Sequence, residues 1–135
     1  MDIYNWTSDL ETNNAQIDSD HKEIILRAQA LHDAMMSGKG SGNIKDTVEY
    51  LNFYVSKHFR AEEALQKVKR YPNYDNHREN HLYFEKELKL LSDKIIENPL
   101  SASNAIQLNK LISGWFFSHI KKLDVEVAKH INNDN

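Results

Sequence analysis

The sequence predicts an all-α fold: an up-down-up-down four-helix bundle at 18–132 with an N-terminal arm at 1–17, in a single domain over 1–135. Three observations carry this. Four stretches place apolar residues alternately three and four apart, the period of a helix packed on other helices. Breakers separate them, at Gly38-Lys39-Gly40-Ser41-Gly42, Tyr71-Pro72 and Asn98-Pro99. No stretch shows the two-residue alternation and hairpin turns of a sheet.

In the polar arm, Trp6, Leu10 and Ile17 are the large apolar residues, which predicts that it lies against the body. The first helix is expected to start at Asp18 or Ser19, both good N-caps. Its seam reads Ile17, His21, Ile24, Ala28, Leu31, Met35. The second, capped by Asn43, runs Ile44, Val48, Leu51, Val55, His58, Glu62, Leu65 and stops before Tyr71-Pro72, since the residue before a proline avoids helical torsions. The third reads Tyr74, His77, His81, Phe84, Leu88, Leu91, Ile95 and fades at Asn98-Pro99. The fourth starts at Ser101 or Ser103 and carries Ala105, Leu108, Ile112, Trp115 and His119. Short connections between consecutive helices favour antiparallel neighbours.

Composition narrows the function. A net charge of −3, from 17 basic and 20 acidic residues, gives no general attraction to nucleic acid or anionic membrane. No apolar run approaches the ~20 residues that cross a bilayer, and the start lacks the pattern of a signal peptide. A cytoplasmic monomer is expected. The absence of cysteine excludes disulfides and thiolate ligands and leaves histidine and carboxylate to hold a metal.

Every helix seam is broken by residues of that kind: His21; His58 and Glu62; His77 and His81; His119, with Asp124 nearby. A bundle that alternates direction tests whether they meet. His21 lies about 16 residues from the bend after the first helix, and His58 lies 15 after Asn43. His81 precedes Glu97 by 16 residues, and His119 follows Ser103 by 16. At 1.5 Å per residue all four sit ~23 Å from the same end. The polar breaks therefore share one level of one core. Buried imidazoles and carboxylates need partners, and a metal is the common one.

Asp124 follows His119 by five residues, about 140° around an ideal helix, which turns it away from the shared core. A single π-turn between them restores it to the inner face. Five imidazoles and two carboxylates exceed one tetrahedral zinc. Two six-coordinate irons accommodate them if both carboxylates and one oxygen bridge, and a single position then stays open for a diatomic ligand.

These residues resemble the hemerythrin family, most closely its single-domain bacterial members. The likeness spans Trp6, Ile17-Asp18-Ser19-Asp20-His21, His58-Phe59-Arg60-Ala61-Glu62-Glu63, Tyr71-Pro72 with His77 and His81, and Trp115 before His119-Ile120 and Asp124. The resemblance implies reversible O2 binding at two non-haem irons. Glu62 and Asp124 would bridge; His77, His81 and His119 would complete one iron, and His21 and His58 the other. Asp20 stands where the family usually has glutamine, and Gln66 where methionine is common. Asp20 is expected to add negative charge near His21.

Other residues are set aside. Glu63 points about 100° from Glu62 and is expected in solvent. His32 and His130 fall off the seams and are expected at the surface or its boundary. Ile24, Phe59, Phe84, Trp115, Phe116 and Phe117 are candidates for an apolar wall around the site. The competing functions are a diiron oxidase, peroxidase or nitric-oxide-handling enzyme, and an oxygen or iron sensor. Oxygen-activating bundles use Glu-x-x-His pairs; this chain has none.

Overall fold

The computed structural model describes residues 4–37 and 41–132, the side chains of 41–43 excepted. Three long helices, α1 (Ala15–Ser37), α2 (Ser41–Val68) and α3 (Tyr74–Glu97), are followed by a fourth rod of consecutive helical segments. In that rod, α4 (Ala102–Asn109), α5 (Phe117–His119) and α6 (Val125–Asn132) are joined by π-helical turns at Lys110–Phe116 and Ile120–Asp124. α1 packs on α2, α2 on α3, α3 on the fourth rod, and that rod back on α1. The four-helix bundle is thus as expected, and the described residues contain no strand.

The helix boundaries depart from expectation where side chains act on neighbouring turns. α1 begins at Ala15, ahead of Asp18, because the Asn14 carboxamide accepts the Ile17 N–H at 3.1 Å and caps the helix. Asp18 instead reaches back, accepting the Thr12 N–H at 3.0 Å and the Thr12 hydroxyl at 2.8 Å. Asn43, expected as a cap, lies inside α2; its side chain and the glycine-rich turn at 38–40 lie outside the described residues. α2 ends in a Schellman motif without glycine. Arg70 adopts φ 53°, the Tyr71 N–H meets the Gln66 carbonyl at 2.8 Å, and the Arg70 N–H meets that of Lys67 at 3.2 Å. Ser101 caps α4 as expected, accepting the Asn104 N–H at 3.2 Å.

Two seam positions also change. After Glu62 the next inward residue of α2 is Gln66, wholly buried, while Leu65 is exposed. In the fourth rod Phe116 is buried and Trp115 only partly so, because the first π-turn inserts a residue and rotates the remainder of the rod.

The arm is tied down by more than Trp6 and Leu10. Tyr4 is buried; its N–H donates to Gln29 at 3.0 Å and its hydroxyl to Asn109 at 2.6 Å. A 3-10 turn at Ser8–Leu10 drives Leu10 fully into the core. His130, set aside from sequence, is half-buried and lies 2.6 Å from the Lys69 carbonyl, closing the fourth rod onto the end of α2.

Leu51 is fully buried far along α2 from the polar level, whereas Phe53 is 59% exposed. Leu51→Ala should therefore cost about 2–5 kcal/mol by chemical denaturation. Phe53→Ala should stay within about 0.5 kcal/mol of the parent.

Candidate metal centre

The seven residues marked from sequence converge. Each helix contributes at one level, and all seven side chains are buried: His21, His58, Glu62, His77, His81, His119 and Asp124. Their donor atoms form two groups, each within 4.8 Å: Glu62, His77, His81, His119 and Asp124 in one, His21, His58, Glu62 and Asp124 in the other. Glu62 and Asp124 belong to both. The π-turn at Ile120–Asp124 is what carries Asp124 to the inner face, five residues after His119.

The spacing has the form of a coordination shell. At a ligand distance of about 2.1 Å, adjacent ligands lie roughly 3.0 Å apart in an octahedron and ~3.4 Å in a tetrahedron. His77 Nε2 is 3.0 Å from Glu62 Oε1, from Asp124 Oδ1 and from His119 Nε2. His119 Nε2 is 3.1 Å from Asp124 Oδ1, and His81 Nε2 is 3.3 Å from Glu62 Oε1. In the second group His21 Nε2 is 2.9 Å from Asp124 Oδ2, and His58 Nε2 is 3.5 Å from Glu62 Oε2.

Several of these atoms are close without being hydrogen-bonded. Nε2 of His21, His58 and His81, Glu62 Oε2 and both Asp124 oxygens are buried without a hydrogen-bond partner among the described residues. They aim at common points rather than at one another. Buried donors and acceptors left in that state are costly, and the donor set fits cations held at those points. Two of the imidazoles are oriented from behind: His58 Nδ1 lies 3.0 Å from Asp20, and His81 Nδ1 lies 2.7 Å from Glu63. Such partners fix ring orientation and raise ligand basicity.

Glu63 is therefore not in solvent. It is buried, with Arg60 at 3.1 Å and Arg78 at 3.5 Å completing its partners. The side chain swings across the helix face to meet His81, which a Cα projection at 100° per residue does not capture. Asp20 acts mainly on His58 rather than on His21. Gln66, noted in the sequence only as a departure, places Nε2 3.4 Å from Glu62 Oε1. The aromatic wall forms largely as anticipated. Phe59 stacks on His81 at 3.8 Å, Trp115 on His119 at 4.8 Å, and Phe116 meets His21 edge-on at 5.7 Å. Phe84 backs this layer against Trp115 and Phe116.

Electrostatics follow from burial set against pairing. Burial, the largest influence on Asp124, pushes its carboxyl up, but His119, His21 and His77 outweigh it and hold it well below the usual range. Glu62 is pulled down despite burial and the Asp124 charge, by His77, His81 and His58. Burial pulls His77 down, yet its contacts with Asp124 and Glu62 raise it to about 9. Burial lowers His119, whereas His58 is raised overall by Asp20, Glu62 and Asp124 against its own burial.

The sequence model of the hemerythrin HHE cation binding domain matches residues 12–131. The chain belongs to the hemerythrin family. Bacteriohemerythrin of Pseudomonas paraeruginosa is 30% identical over 128 residues, 93% of this chain and 81% of that protein. Myohemerythrin of Theromyzon tessulatum is 28% identical, covering 90% of this chain and 88% of its own. A crystal structure of a hemerythrin variant superposes with TM-score 0.84 at 25% identity, covering 97% and 98% of the two chains. The resemblance first carried by short motifs thus extends along this hemerythrin chain as a whole.

The raised His77 pKa has a consequence for the metal-free bundle. Protonated His77 stabilises the fold below its ordinary 6.5, and that contribution is lost as pH rises through about 9. The carboxylates contribute in the opposite sense, above their ordinary values, and lose it as pH falls. Metal-free protein should therefore melt at progressively lower temperature from pH 6.5 to 9, as followed by circular dichroism. Protein loaded with ferrous iron should show no such decline, because the metal has already displaced that proton.

Proposed function

We propose that this hemerythrin binds O2 reversibly at a pair of non-haem irons, for oxygen storage, transport or delivery. In this reading His77, His81 and His119 would hold one iron and His21 and His58 the other, and Glu62 and Asp124 would serve both. One observation supports it most: two donor groups, one with three imidazoles and one with two, share the same two carboxylates. When bound, the irons would supply redox-active centres able to take up a diatomic ligand.

The rest of the chemistry belongs to the chain. Asp20 and Glu63 hold the His58 and His81 rings by their far nitrogens, so the near nitrogens stay on target. Phe59, against His58 and stacked on His81, and Phe116, edge-on to His21, are inaccessible to solvent, as are Ile24 and Ile120 in the same apolar core. Excluding water limits proton delivery to a reduced ligand, and with it irreversible oxidation. Imidazole-rich ligation and the absence of Glu-x-x-His pairs favour binding over turnover. The proposal extends to a monomer in the reducing cytoplasm, where ferrous iron persists.

The optical test is direct. The reduced, iron-loaded protein should develop charge-transfer bands on admission of air and lose them when the gas is stripped, over repeated cycles. A single irreversible oxidation would argue against a carrier, and steady turnover of peroxide or nitric oxide would move the assignment to an enzyme. His77→Ala should bind fewer than two irons per chain and unfold earlier. His130→Ala should keep both irons and lose only about 1 kcal/mol through its bond to Lys69. Equal iron content in the two variants would contradict the ligand assignment.

A further inference from the structure

We propose that Gln66 is a positioning residue for the shared carboxylate Glu62, and that its carboxamide sets the redox poise of the metals bound there. The inference rests on the diiron reading above and deepens it.

Gln66 is completely shielded from solvent, one turn beyond Glu62 on the same face of α2. Its Nε2 lies 3.4 Å from Glu62 Oε1, while its own Oε1 is buried with no partner among the described residues. The amide orientation follows from charge, since a carbonyl oxygen turned toward an ionised carboxylate would repel it. A side chain retained only for packing would not bury a polar group in this way. Methionine has the same reach and no such cost. The neighbourhood offers no competing role: Gln66 sits at the base of α2, where its backbone carbonyl closes the terminal turn with Tyr71.

Glu62 Oε1 is also the oxygen nearest His77, at 3.0 Å, and His81, at 3.3 Å. The amide therefore acts on the oxygen that faces the three-imidazole group. Donation from Nε2–H draws electron density from the carboxylate and weakens what it gives to a metal. A ferric ion depends on that donation more than a ferrous ion does, so the bond favours the ferrous state. Removing it should drive the midpoint potential down. Each ferrous ion gives one electron to the electrode in the measurement, and no covalent bond is made or broken.

The test compares wild type and Gln66→Met by mediated redox titration, with iron content and melting temperature measured on the same samples. The expected result is two irons in both proteins and an oxidation equilibrium shifted about tenfold toward ferric in the variant, ~59 mV for one electron. An unchanged potential at equal iron content would overturn the proposal, since a packing role moves the melting temperature and not the potential. Wild type lacking two irons would count against the diiron reading instead. A second measurement needs no metal: in metal-free wild type the Gln66 side-chain amide protons should exchange slowly and shift on Glu62→Gln. Fast exchange with no shift would overturn the proposal whether or not the methionine variant takes up iron.

Discussion

Everything in this fold bears on the placement of Glu62 and Asp124. Two carboxylates from different helices lie side by side, with almost no contact with water, and each repels the other. A bundle this size cannot tolerate that pair alone. Five imidazoles, drawn from all four rods, surround it and turn the repulsion into a shared electrostatic well. The helices bring the donor atoms of these seven residues into two groups, each within 4.8 Å, that share both carboxylates.

The fourth rod shows how the constraint acts on the backbone. A regular α-helix puts His119 and Asp124 on different faces, and both are required inside. The chain resolves this with a π-turn at Ile120–Asp124, and a further one at Lys110–Phe116 re-aims the aromatic segment. Trp115 is thereby displaced to the edge, where its indole lies flat on His119. Phe116 takes the inner place against His21. Irregular hydrogen bonding in the backbone is the means by which the site acquires its second shared carboxylate.

Around this centre, a layer of polar residues links it to the surface. Glu63 binds His81 and is itself held by Arg60 and Arg78; Arg60 continues to Glu85, which meets Ser56. On the opposite side Gln16 holds Asp20, which holds His58. These chains make ring orientation a property of the bundle rather than of single rotamers. They also mean that the site is stiffened from two sides while its aromatic face remains apolar.

The sequence by itself determined the fold class, the four helices and the seven polar positions, because helical period and antiparallel wiring are one-dimensional rules. Residues placed at equal distances from a common end must meet. It also carried the irregularity before Asp124, since a residue five positions after His119 reaches the same inner face only through a π-turn. What only the tertiary structure decided were contacts governed by side-chain reach and by neighbouring chain segments. Asn14 rather than Asp18 caps α1, because Thr12 competes for the aspartate. Glu63 leaves solvent because His81 and two arginines outcompete water, and Gln66 rather than Leu65 takes the inward place after Glu62, its amide 3.4 Å from that carboxylate. A periodic pattern states which face a residue occupies, but long polar side chains choose their partners across faces, and those partners exist only once the helices have packed.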